Sequence, residues 1–158
     1  MKKILEIARI FFVSPELLLV VIGVAIQQWL VGPVEVLLAG INVTDDFIKW
    51  AVAIPGALLC WSLVSGRKLL FPEKDKNSIL QKWPDYWILK ICFHVALIWN
   101  LIFVLISIYA WTGDWKHPSP GHFISLVISI IGSAMCSFSI YNAQIRVEEE
   151  VSQYVDKS

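Results

Sequence analysis

Ile91–Gly113, ICFHVALIWNLIFVLISIYAWTG, runs for 23 residues without an Asp, Glu, Lys or Arg. A helix needs about twenty apolar residues to cross the roughly 30 Å of bilayer hydrocarbon, so this stretch reads as a membrane span. Three further uncharged stretches share the chain with it: Leu17–Val34, Trp50–Gly66 and His117–Ile145. Between them they leave too little polar sequence to enclose a soluble core. With 57% hydrophobic residues, eight Trp and a mean hydropathy of +0.66, most of the polypeptide is expected in lipid.

The formal net charge is zero, but its distribution is uneven. Lys2, Lys3 and Arg9 precede the first span, Arg67, Lys68, Lys74, Lys76, Lys82 and Lys90 surround the second connection, and Arg146 and Lys157 follow the fourth span. Only Lys49 and Lys116 fall on the other side. Basic residues are retained in the cytoplasm during insertion, which places both termini and the 67–85 connection inside. The expected fold class is therefore all-α: a polytopic membrane protein with four transmembrane helices at about 16–31, 47–66, 86–112 and 122–141. A short interfacial amphipathic helix over 1–13 and a cytoplasmic helical tail over 144–158 flank the 14–143 membrane domain. Lys2 and Lys3 before an apolar run also resemble the start of a secretory signal, with Gly23-Val24-Ala25 as a small-x-small site, but this segment is expected to stay on the chain.

Local signals refine the plan. Ser14-Pro15-Glu16 combines a cap, a first-turn proline and a dipole-matched acid, so a fresh helix starts there. Span one is short, and Gly32-Pro33 to Asp46 reads as an outer interfacial or re-entrant piece carrying Glu35. Pro55-Gly56 should kink span two. Cys60, Cys92 and Cys136 read as buried free thiols.

Span four carries the strongest pattern: Gly121, Ser125, Ser129, Ser133, Ser137 and Tyr141 recur every four residues. Small hydroxyl residues at that spacing let helices pack closely and bond to one another. Arranged around an axis between several copies, the same hydroxyls would wet a narrow pore, which makes Ser125, Ser129, Ser133 and Ser137, with Asn100 of span three, the pore-lining candidates. Glu35 is the candidate for the outer mouth. Beyond the membrane, Ile140, Gln144, Val147, Val151 and Tyr154 follow alternating steps of four and three, a spacing that pairs helices.

Arg67, Lys68, Lys74, Lys76 and Lys82 beside Trp83, Tyr86 and Trp87 combine cations with flat aromatic faces. Such a set binds anionic lipid headgroups, a nucleotide or oligonucleotide, or a cytosolic protein, and it also serves simple orientation in the membrane. Enzyme chemistry is not expected. No zincin helix, nucleophile elbow or phosphate-binding glycine loop is present, and no cofactor or metal site is expected. A proton-coupled transporter finds no acidic relay in the cores of the spans.

A short N-terminal helix, four spans, the basic inner loop from Arg67 to Lys82 and the tail from Gln144 to Ser158 together resemble the small four-span membrane components of bacterial anti-phage defence systems, such as the Hailong channel effector or the Kiwa membrane subunit. The resemblance implies a homo-oligomer, a tetramer, in the bacterial inner membrane that perturbs the membrane when a cytosolic partner or nucleotide signal changes. It implies a gated channel or membrane-disrupting effector; the alternative is a non-conducting anchor or sensor that docks a soluble partner.

Overall fold

A computed structural model describes residues 11–39, 45–70, 86–115 and 119–155, and among them every regular element is α-helix. In chain order these are α1 (Pro15–Trp29), α2 (Val31–Ala39), α3 (Asp45–Leu70), α4 (Tyr86–Trp111) and α5 (Pro120–Val155). Phe11 and Phe12 also have helical backbone ahead of α1, while 1–10 and the connection 71–85, with Lys74, Lys76, Lys82 and Trp83, lie outside the described residues.

Three helices are long and apolar enough to cross a membrane: Phe47–Arg67 within α3, Tyr86–Trp111 as α4, and Pro120–Glu149 within α5. Their outward faces are mainly apolar, with Ile54 and Val64 on α3, Leu101 and Leu105 on α4, and Ile131 and Phe138 on α5 all exposed. An apolar surface of that extent suits lipid and not water. Trp29, Trp50 and Trp111 are 81%, 77% and 57% exposed at one end of the bundle, where an interfacial aromatic belt belongs. Lys90, Arg67 and Arg146 mark the opposite, basic end.

The segment expected as a simple span over 16–31 is instead a bent pair of shorter helices. α1 has 15 residues, about 22 Å of helix, and the axis then turns by 83° into α2 at Leu30. Pro33 supplies the reason: it stands in the first turn of α2 and has no N–H to offer the Trp29 carbonyl, so the ladder breaks between the Leu30→Ile26 and Val34→Leu30 bonds of 2.9 and 3.1 Å. At the start of α1, Ser14 accepts from the Leu17 N–H at 3.3 Å and Pro15 sits in the first turn, as the sequence indicates. Pro55, by contrast, is absorbed in a helix that runs unbroken from Asp45 to Leu70, and its ring is fully buried. α5 likewise continues without a break from the fourth span into the tail.

α4 and α5 form the most extensive pair, α3 lies against both, and α1 docks chiefly on α5. At the basic end Tyr86, Phe93, Ala96, Ile140 and Val147 pack together; at the other, Ile48, Ala51, Ala110, Trp115 and Leu126. A middle cluster of Ile91, Val95, Trp99, Phe103 and Cys136 takes Phe11 and Leu17 against it. Close approach is set by glycine: a Cβ on Gly132 would run into the Phe103 ring, and one on Gly23 into Ile128.

Candidate functional site

Three facing helices enclose a row of polar groups. Asn100 of α4 donates from Nδ2 to the Ser62 hydroxyl of α3 at 3.3 Å, and Ser62 in turn lies 3.1 Å from the Ser137 hydroxyl of α5. Asn100, Ser62 and Ser137 are 0%, 0% and 5% exposed. Toward the basic end Gln144 Nε2 donates to the Ser65 carbonyl at 2.9 Å, and toward the other end Ser107 donates to the Val52 carbonyl at 3.1 Å. A polar group in hydrocarbon must find a partner within protein, and these residues find theirs across helices. The alignment comes from sequence spacing: Ser62 and Ser65 share a face of α3, Asn100 and Ser107 one face of α4, and Ser137 and Gln144 one face of α5.

The pore-lining candidates are thus placed as follows. A four-residue step on a helix of period 3.6 advances about 40°, so the α5 stripe winds around the helix instead of staying on one side. Gly121 meets Gln27 of α1, and Ser125 is half-buried beside the same glutamine in a cavity of about 340 Å³ between α1, α4 and α5. Ser129, Ser133 and Ser137 turn into the bundle of the single chain, and Tyr141 is exposed. Ser129 returns its hydrogen to the Leu126 carbonyl at 2.7 Å, a bond within α5 itself. Ser133 Oγ and Asn100 Oδ1 are buried without a hydrogen-bond partner among the described residues, as are the indole nitrogens of Trp99 and Trp115.

The basic-end candidates divide. Arg67 is exposed and Tyr86 is buried in its cluster, with the Lys90 ammonium 4.4 Å above its ring. Trp87 packs half-buried against the middle cluster. The side chain of Lys68, with Lys74, Lys76, Lys82 and Trp83, lies outside what is described. Glu35, on α2 next to the corner, is exposed. His94 holds the Lys90 carbonyl at 2.6 Å from Nδ1 on an exposed face, an interfacial role. His122 bonds Ser119 at the start of α5 and stacks on Tyr109 with ring centroids 5.1 Å apart.

Two expectations change. All three cysteines are free, but Cys60 and Cys92 are exposed on the outside of the bundle and only Cys136 is buried. In lipid the outer face is as apolar as the core, so a thiol gains nothing by turning inward. The second is Glu16, read from sequence as a complement to the α1 dipole. It is 5% exposed, and Cys136 Sγ lies 4.0 Å from its Oε1. An acid is therefore enclosed among the helices, beside the apolar Pro120–Glu149 stretch of α5. The local sequence marks Glu16 only as a first-turn acid; its burial follows from the docking of α1 on α5.

Among the described residues no group of three or more His, Cys, Asp or Glu is placed to hold a metal. Comparison with protein-family models, with curated proteins and with solved structures gives no match.

Proposed function

We propose that this chain is a non-catalytic, multi-pass subunit of the bacterial inner membrane, with α3, α4 and α5 as full spans, the bent α1–α2 pair as a fourth inserted segment, and the basic end and both termini in the cytosol. Its work is to hold a soluble cytosolic partner, a protein or a nucleotide-type ligand, at the membrane through Arg67, the adjoining basic connection and the extension of α5. The observation that carries this reading is the inward turn of Ser129, Ser133 and Ser137. Each copy uses its stripe to close its own bundle, which leaves the charged end as the surface for communication. The setting in antiviral defence follows from the likeness in architecture, and a neighbouring gene for a nucleotide-synthesising or nucleic-acid-cutting enzyme would bear on it.

Charge reversal at Arg67 and Lys68 should abolish recovery of a cytosolic partner with the affinity-tagged protein from native membranes. Undiminished recovery would remove the docking surface from consideration.

A second reading is a homo-oligomeric channel or membrane-disrupting effector, gated from the cytosol. It is favoured by Ser133 Oγ and Asn100 Oδ1, polar atoms with unused bonding capacity inside the membrane. Ion flux through the purified protein in liposomes, diminished by Ser133→Leu, would select this reading over the anchor. Vesicles that stay tight with and without cytosolic extract would select the anchor.

A further inference from the structure

Glu16 is the one charged side chain that the described bundle buries, and the polar row makes no use of it. α1 runs antiparallel to α5, with Gln27 at Gly121, Gly23 at Ile128 and Glu16 at Cys136. Position 136 is about 24 Å along α5 from its start. Phe11, a turn earlier, stacks on Trp99 at 4.7 Å between centroids, about 13 Å along α4 from Lys90. The carboxylate thus sits well inside the hydrocarbon-facing part of the helices. Among the described residues its only hydrogen-bonding neighbour is the Cys136 thiol, a weak donor that leaves most of the acceptor capacity of a carboxylate unused.

Glu16 lines a cavity of about 570 Å³ on the basic-end side of α1. The walls are mainly apolar, formed by Val13 and Pro15 before and in α1 and by Ile88, Ile91 and Val95 of α4, with the Trp87 ring toward the basic end. The other polar groups at its edge are neutral: Ser14, which caps α1, Cys92 and Ser139. A site of this volume and lining takes a molecule of drug size. A buried carboxyl group beside apolar walls, with most of its acceptor capacity unused, is complemented by one positive charge.

We propose that this cavity binds a lipophilic cation, an apolar molecule bearing a single shielded positive charge, with Glu16 as counter-ion and Trp87 as an aromatic wall. A bare metal ion would find a single carboxylate and too few oxygens. A phosphate-bearing headgroup would meet like charge at Glu16, and a neutral apolar chain would leave the acid unmatched. The assignment is independent of whether the bundle anchors a partner or conducts.

Tetraphenylphosphonium is the probe. Calorimetric titration of the full chain in nanodiscs of zwitterionic lipid should give saturable binding, weakened by at least about tenfold in Glu16→Gln and unaltered in Glu148→Gln. Glu148 is exposed at the basic end of α5 and does not line the cavity. Because Glu16→Gln can also fail to fold, the wild-type protein supplies a second measurement. Tetraphenylphosphonium should protect Glu16 from modification by dicyclohexylcarbodiimide, located by peptide mass, whereas neutral triphenylphosphine oxide should not. Absence of saturable binding, equal binding by a folded Glu16→Gln, or equal protection by the neutral analogue would each overturn the assignment.

Discussion

Ser62 and Ser137 sit 3.1 Å apart, hydroxyl to hydroxyl, across the α3–α5 contact, and Asn100 reaches the same Ser62 oxygen from α4. One oxygen therefore joins three helices. Ser62→Ala should destabilise the bundle more than Ser137→Ala, because it leaves both Asn100 Nδ2 and the Ser137 hydroxyl without a partner. The expected loss is about 1–2 kcal/mol, against about 0.6 kcal/mol for a typical hydrogen bond between helices in a membrane. Unfolding in mixed micelles should also return a coupling of about 0.5 kcal/mol for the double variant. Equal, additive losses would show that Ser62 is not shared.

Gly132 lets the fully buried Phe103 ring lie directly on the α5 backbone. Gly132→Ala should cost about 1–3 kcal/mol through overpacking. Phe103→Leu, mildly destabilising alone, should recover part of that loss in combination, a rescue that a thermal melt of the four proteins in detergent would reveal or exclude.

Thiol reactivity should separate the cysteines. Cys60 and Cys92, exposed on the bundle, should be alkylated in detergent by N-ethylmaleimide well before Cys136, which is 0% exposed. The folded protein should gain two adducts by mass and the denatured protein three. Rapid addition of a third to the folded protein would mean that α1 does not cover Cys136.

Orientation is open to the same chemistry in a cysteine-free background. A cysteine replacing Arg67 or Arg146 should react with a membrane-impermeant maleimide only in inverted vesicles, and one replacing Lys49 only in right-side-out ones. Labelling of all three from one side would contradict the assignment of ends.

The long helices were readable because hydrocarbon imposes a length and forbids charge: 47–66 lies within Asp45–Leu70, and 86–112 coincides with Tyr86–Trp111 almost residue for residue. Ser14 and Pro15 likewise fixed the start of α1 from local chemistry alone. What periodicity could not reveal was the partner of each face. The four-residue stripe of α5 is a sequence fact, but whether Ser137 meets Ser62 of its own chain or the axis of an assembly depends on how α3 and α5 cross. Glu16 was legible as a cap-adjacent acid, and its burial was not, because that follows from α1 docking beside Cys136. The 83° corner at Leu30 was half-legible: Pro33 announces a broken ladder, but not the angle.

α5 contains 36 residues, a rod of about 54 Å, against a hydrocarbon layer of about 30 Å. Ser129 and Ser137 at one part of it and Glu149 at another belong to a single uninterrupted lever. Whatever grips the protruding segment, a tilt or twist imposed there has no joint in which to dissipate. The path along the helix leads to the oxygen shared by Asn100, Ser62 and Ser137.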